Sequence, residues 1–240
     1  MSEKGDCLVL PGFTGKYSFI GEVRMRVVSG KAKGTKLIAP KSERTRPTLD
    51  KTKEALFSVL LHMAPDMFAG GQSRCLDLCA GSGQVGIEAL SRNMYQAVFV
   101  EKDAAALAVI KENLQKTHLT QAAQVVGITV GRFLKMRQAV QAPDPAPAQA
   151  QTQAQAQAQT QAQTGQVEKP ELFDFIYCDP PYRLAAEINA AVLAHASLIL
   201  RQGGVLVLEQ AAEVAALPAT APLCLVKEQV YGRTRLCFYR

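Results

Sequence analysis

The sequence predicts an α/β fold, with a mostly parallel seven-stranded sheet, a C-terminal antiparallel hairpin and a small basic appendage in front. Three observations predict it. From Cys75 onward, short apolar runs alternate with segments of helical period, the pattern of repeated βα units. A glycine-rich turn, Gly81 to Gly86, follows the first of those runs. The last two runs are separated only by Tyr231-Gly232-Arg233, too short for a crossover, so they must pair antiparallel.

The elements are expected in this order. Residues 48–62 place Leu49, Ala55, Leu56, Val59 and Leu60 near helical spacing, with Thr48 or Asp50 as cap. Residues 75–79 form a short buried strand, and a helix opens over 86–92. The next strand is 97–101 and the next helix 104–116. A third strand at 125–130 leads to a short amphipathic turn around Phe133-Leu134. The fourth strand is 173–178, with its helix at 185–200, and strands at 205–209, 223–230 and 236–239 complete the sheet.

Composition narrows the class. A hydrophobic fraction of 48% with 20% charged residues is that of a globular chain, which excludes global disorder. No run approaches the roughly 20 apolar residues of a membrane span. The amino end carries Glu3 and Asp6 and is broken by Pro11-Gly12, a poor secretory signal, so a cytoplasmic protein is expected. The six cysteines (Cys7, Cys75, Cys79, Cys178, Cys224 and Cys237) show no paired CxxC spacing and read as reduced, buried thiols. His62, His118 and His195 read as ordinary surface or satisfied histidines.

Residues 141–166 (QAPDPAPAQAQTQAQAQAQTQAQTGQ) hold one charge and no large apolar side chain. With no face to bury, they are expected to be a disordered insertion whose removal costs the fold little. The expected organisation is an extension of unknown role over 1–24, a basic hairpin and connector over 25–53, and a catalytic domain over 54–240 that carries the insertion.

The charge is unevenly placed. The net +6 resolves into +7 within residues 1–53 and −1 over the remainder. A basic segment beside a near-neutral domain suits a polyanion, because each neutralised phosphate releases counterions. Arg24, Arg26, Lys31, Lys33 and Lys36, interleaved with Gly30 and Gly34, look like a short basic hairpin rather than a helix face.

Two motifs carry chemistry. In Asp77-Leu78-Cys79-Ala80-Gly81-Ser82-Gly83-Gln84-Val85-Gly86, the glycines spell GxGxxG at a strand-to-helix turn. An acid just before the glycines would repel a pyrophosphate and welcome an ammonium group. A second acid, Glu101, ends the next strand, where a carboxylate can take both hydroxyls of a ribose. One acid for each group, with glycines permitting close approach, fits S-adenosylmethionine better than a nicotinamide dinucleotide.

The second motif is Asp179-Pro180-Pro181-Tyr182, directly after the fourth strand. Two prolines stiffen the loop and remove N–H donors, leaving carbonyls to accept. Asp179 and the Pro180 carbonyl could accept the two protons of a base's exocyclic amine, and Tyr182 could stack on the ring. Such a base must be flipped out or already single-stranded.

These residues resemble a known group. The stretches DLCAGSGQVGIEALSR, VFVEKD and DPPY are similar to those of Rossmann-like class I S-adenosylmethionine-dependent amino-methyltransferases. RVVSGKAKGTKLIAP, TRPTLDKTKEALFSVL and the terminal VYGRTRLCFYR resemble the bacterial RsmD family of 16S rRNA guanine-N2 methyltransferases. The resemblance implies that Asp77, Ala80, Gly81, Ser82, Gly83 and Glu101 hold the cofactor, with Arg46, Pro47 and Thr48 covering its methionine end. It implies that Asp179, Pro180, Pro181 and Tyr182 hold guanine N2, and that Arg26, Lys31, Lys33 and Lys36 grip 16S rRNA. The partner it implies is the assembled or assembling small ribosomal subunit, met by a monomer, with no metal.

The family pattern of Asp or Asn after the third strand is replaced here by Gly127-Ile128-Thr129-Val130-Gly131, which leaves backbone groups or Thr129 to meet the adenine. Other readings stand beside this one. Adenine-N6 methylation shares DPPY but leaves the amino-terminal match unexplained. A non-catalytic ribosome-assembly factor would predict a degraded cofactor loop, and a dehydrogenase would need an acid/base pair beside the glycines.

Overall fold

The computed structural model describes residues 25–39, 50–141, 171–219 and 221–240. Seven strands form one sheet in the order β3-β2-β1-β4-β5-β7-β6. They are β1 (Arg74–Leu78), β2 (Gln96–Glu101), β3 (Ala123–Gly127), β4 (Phe173–Cys178), β5 (Leu200–Ala211), β6 (Leu225–Tyr231) and β7 (Thr234–Tyr239). The first five run parallel, whereas β7 is antiparallel to both β5 and β6. The expected α/β architecture and its terminal antiparallel hairpin are both present.

Strands buried on both faces alternate their side chains between two cores. Cys75, Phe99, Phe175, Tyr177 and Val207 point to one side, where helices α1 (Asp50–Met63), α2 (Gln84–Ser91) and α3 (Ala104–Lys116) cover the sheet. Leu76, Val100, Ile176, Cys178 and Leu208 point to the other, under α4 (Val130–Gln141), α5 (Ala185–Ala194) and α6 (Ala196–Ile199). α3 starts where expected because Asp103 caps it, its carboxylate accepting from Ala106 N at 2.8 Å.

Several boundaries differ from the sequence reading. The third strand stops at Gly127, and the expected turn around Phe133-Leu134 is the 12-residue helix α4. Thr129 opens it, its Oγ1 accepting from Arg132 N at 3.2 Å. The helix expected over 185–200 breaks at His195, and Leu200 already begins β5, which runs well past the expected 205–209. The first strand ends at Leu78, since Cys79 turns into the left-handed region with φ 59°. Among the described cysteines all are free, but Cys224 is exposed and Cys79 half-buried, so only Cys75, Cys178 and Cys237 are core thiols.

Residues 1–24, the Thr48 cap and the segment 142–170 lie outside the described residues; Gln141, expected to begin the insertion, closes α4. Among the described residues no helix is long and apolar enough to cross a membrane.

Candidate active site

Strand order reverses between β1 and β4: from β1 the chain builds outward through β2 and β3, then returns to β4 on the other side. Crevices at such a reversal, beyond the carboxyl ends of the strands, are where open α/β sheets bind ligands. Both sequence motifs end there. Leu78 pairs with Cys178 in register, and Asp179 N approaches Leu78 O at 3.4 Å. The glycine loop and the DPPY loop are therefore neighbours.

The glycine loop is a tight reversal with Gly81 and Gly83 at φ 55° and 75°, from which α2 departs. Gly86 serves closeness instead: a Cβ there would lie 2.4 Å from Phe99 Cε1. The absence of a side chain lets α2 sit on β2 and fixes where its amino terminus points.

Asp77 is buried at 2% exposure, and its Oδ2 accepts from Gly86 N at 2.9 Å. The acid assigned to an ammonium thus also anchors the first turn of α2. Burial pushes its carboxyl up to about 8; the Gly86 hydrogen bond opposes the shift and the Glu101 charge adds to it. An unfolded aspartate titrates at about 3.9. Between those values the folded state binds more protons than the unfolded one, so stability falls as pH rises across that window. The limiting slope is about 1.4 kcal/mol per pH unit for one proton. Asp77→Asn keeps an acceptor for Gly86 N but cannot ionise. Its melting temperature is expected to decline less than the wild type's between pH 5 and 8, as differential scanning calorimetry would measure.

Glu101 ends β2 with its carboxylate folded over the loop. Oε2 accepts from Gly81 N at 2.9 Å, and Oε1 accepts from Lys102 N at 2.8 Å and Asp103 N at 2.9 Å. It also lines a cleft of about 290 Å³ together with Cys79, Ile128, Thr129, Val130 and Ile188. The walls are mostly apolar, which suits a flat heterocycle with a few polar edges. A larger hollow of about 340 Å³ lies at the opposite ends of the strands, beside the Arg201–Asp174 ion pair, and contains none of the motif residues.

In the tetrad, Pro180 is buried, Asp179 partly buried, and Pro181 and Tyr182 exposed, Tyr182 at 58%. Leu184 N donates to Pro181 O at 2.8 Å, which starts a short helical turn and commits that carbonyl. Glu209, near the end of β5 and 8% exposed, lies close enough for its charge to act on Asp179. Tyr177 Oη donates to its Oε2, and Asn189 Nδ2 donates to its backbone carbonyl at 3.1 Å. Burial first, then the charges of Glu209, Cys79 and Asp77, hold the Asp179 carboxyl well above the usual range.

The basic segment is a hairpin, as expected. Arg26 bridges antiparallel to Lys36, while Met25, Val27, Ala32 and Leu37 turn inward and Arg26, Lys31, Lys33 and Lys36 turn outward. Arg26 is partly committed, with Nε 3.2 Å from Asp50 Oδ2.

Sequence reasoning missed what holds the hairpin in place. Glu88, fully buried on α2, accepts from Val28 N at 2.7 Å and Ser29 N at 2.9 Å, and takes Arg92 Nε at 2.8 Å. The fully buried Lys53 lies 3.8 Å from Glu88 and donates to Arg26 O at 2.6 Å. The one signal was a carboxylate in the otherwise apolar stretch Val85–Leu90, which demands a buried partner without naming it. The apolar cleft walls from α4 and α5 were missed as well, because α4 was not recognised as a helix. Arg46, Pro47 and Thr48 lie outside the described residues. Among the described residues no cluster of His, Cys, Asp and Glu could hold a metal ion.

Comparison with known proteins places this arrangement. Residues 25–144 and 135–240 match the family described as Conserved hypothetical protein 95. The chain is 33% identical over 216 residues to YlbH of Bacillus subtilis (strain 168), covering 90% of this chain and 98% of that one. It is 40% identical over 119 residues to ribosomal RNA small subunit methyltransferase D of Haemophilus influenzae, or 49% of this chain and 58% of the relative. Among solved structures, a hypothetical protein of Thermus thermophilus superposes with a TM-score of 0.65 at 30% identity, covering 89% of this chain and 98% of that one. With the matched segments spanning every described element, the chain belongs to this family, the RsmD family of methyltransferases.

Proposed function

We propose that the protein transfers a methyl group from S-adenosylmethionine to the exocyclic N2 amine of a guanine in 16S rRNA. The observation that carries this reading is the junction of β1 and β4, where the glycine loop and the DPPY tetrad meet beside an apolar cleft. The name of the Haemophilus relative supports an rRNA substrate, and the outward lysines of the hairpin suit its phosphates.

The cradle fits the cofactor. Ile128, Val130 and Ile188 would flank the adenine, with the Thr129 hydroxyl at hand, and Glu101 at the cleft mouth would meet the ribose. Ala80, Gly81, Ser82 and Gly83 would back the methionine moiety, and Arg46, Pro47 and Thr48 would cover it. Asp77, whose carboxyl is pushed by burial up to about 8, would be drawn to its ionised form by a cationic ammonium. S-adenosylmethionine supplies an electrophilic methyl on its sulfonium.

The chain's own residues then orient the amine. The Pro181 carbonyl is committed to Leu184 N, so acceptance falls to Asp179 and the Pro180 carbonyl. Both would take N–H bonds from the amine, leaving its lone pair to point at the methyl carbon. Tyr182, exposed at the rim, would stack on the flipped base. Rate would then come from orientation and placed dipoles, with Asp179 taking the proton that the amine sheds as it gains the methyl group. The substrate would be met in the assembled or assembling small subunit, by a monomer, in the cytoplasm.

The test is methyl transfer from labelled S-adenosylmethionine to naked small-subunit rRNA, unmethylated small subunits and double-stranded DNA, each digested to nucleosides. N2-methylguanosine from rRNA or subunits is the expected product. N6-methyladenine in any sample would overturn the assignment of the base, and no transfer to any substrate would overturn catalysis.

A further inference from the structure

Asn113 on α3 is fully buried and spends its amide on two distant segments. Its Oδ1 accepts from Ile38 N at 2.8 Å, and its Nδ2 donates to Ile38 O at 3.0 Å and to Ser82 O at 2.9 Å. Ile38 is where the basic hairpin leaves the domain, and Ser82 is the centre of the glycine loop. Ser82 Oγ also lies 3.8 Å from Met25 Sδ, at the hairpin's other end. The rest of α3's buried face is apolar (Ala106, Ile110 and Leu114), so packing alone would favour an aliphatic side chain here.

We infer that Asn113 is a positioning residue that couples the hairpin to the cofactor loop through the Ile38–Asn113–Ser82 hydrogen bonds. The inference rests on the reading above, in which the loop takes S-adenosylmethionine and the hairpin takes rRNA. A ligand that fixes the Ser82 carbonyl thereby fixes the Asn113 amide and the exit of the hairpin. Coupling between sites is reciprocal, so RNA on the hairpin must tighten the cofactor by the same factor. The enzyme would then hold its cofactor best when its substrate is docked. The hairpin keeps its Glu88 and Ser91 anchors without Asn113, which makes the coupling separable from hairpin folding.

The experiment is calorimetric titration of S-adenosylhomocysteine into the full chain, alone and saturated with unmethylated small ribosomal subunits. Wild type is expected to bind about fivefold or more tightly in the presence of RNA, within the usual range of coupling. Asn113→Ala is expected to bind both ligands with a ratio near one. A ratio near one in wild type, or a wild-type ratio in Asn113→Ala, overturns the inference. A merely structural role would weaken both ligands and leave the ratio intact, which also overturns it.

A second measurement avoids the variant altogether. In wild type, saturating S-adenosylhomocysteine is expected to slow hydrogen exchange of the Ile38 amide about tenfold. Unchanged exchange with the ligand bound overturns the coupling alone, whereas failure of the ligand to bind overturns the functional reading as well.

Discussion

Asp179→Ala is expected to lower methyl transfer by about a hundredfold to a thousandfold, the usual cost of removing one placed polar group from a transition state. Affinity for S-adenosylhomocysteine should stay within a factor of two or three. The split follows from position. Asp179 sits past the end of β4, held against Leu78 O, while the loop assigned to the cofactor follows β1. Calorimetry showing lost cofactor affinity would move Asp179 out of the base-binding role.

The same carboxyl fixes a pH dependence. Its ionisation is held high by burial and by the charges of Glu209, Cys79 and Asp77. Below that point it is protonated and accepts from the amine less well, so activity should rise with pH. Glu209→Gln removes one negative neighbour while keeping an acceptor for Tyr177 Oη. Asp179 should then ionise at lower pH, and the acid limb of the kcat profile should shift to lower pH. An unmoved limb would mean that another group governs it.

Gly30→Ala is expected to be the most damaging small substitution in the hairpin. A Cβ there would lie 1.8 Å from the Ser91 carbonyl oxygen, and Gly30 already has φ +82°. Backbone cannot yield as a side-chain tip would, so the hairpin must lift off α2. Lifting breaks Lys31 N to Ser91 O and Ala32 N to Ser91 Oγ, both 2.9 Å, and strips Glu88 of two backbone donors. A fully buried carboxylate losing partners costs roughly 3–5 kcal/mol. Thermal unfolding should show a fall of many degrees, and rRNA affinity should drop at least tenfold. Gly34→Ala supplies the control, because its φ is +87° but nothing lies within 4 Å of a Cβ. It should cost about 1–2 kcal/mol, from backbone strain alone.

How far the sequence was legible follows from how local each signal was. α3 was placed to the residue because Asp103 caps it and its apolar positions recur on one face. β4 was placed equally well because 173–178 is a short apolar run, broken only by Asp174. α4 was missed because Gly131 sits in its first turn and its buried face is sparse, with Val130, Phe133 and Leu134 among polar and basic residues. β5 was cut short because Gly203-Gly204 reads as a turn, whereas here the two glycines lie in a bulge, and pairing with β4 passes from Leu200 to Val205 across it.

The motif residues of the site could be read because glycines and prolines impose their geometry on the chain nearby. Glu88 and Asn113 could not, since their partners in the hairpin lie 59 to 75 residues away in sequence. Nothing in the neighbourhood of either residue encodes that pairing.

The two residues that flank the undescribed Gln/Ala tract meet the fold at one place. α4 leads down to Gln141 at the end of the sheet away from the glycine loop, and β4 begins there just after Glu171. Arg137 donates to the Glu171 carbonyl, so the chain leaves and re-enters at a closed seam. Such a seam can act as an insertion port, and shortening or replacing residues 142–166 is expected to leave the melting temperature nearly unchanged, as calorimetry would measure. For the experimenter it is a graft site, where a fluorophore or an affinity handle would sit away from the glycine and DPPY loops.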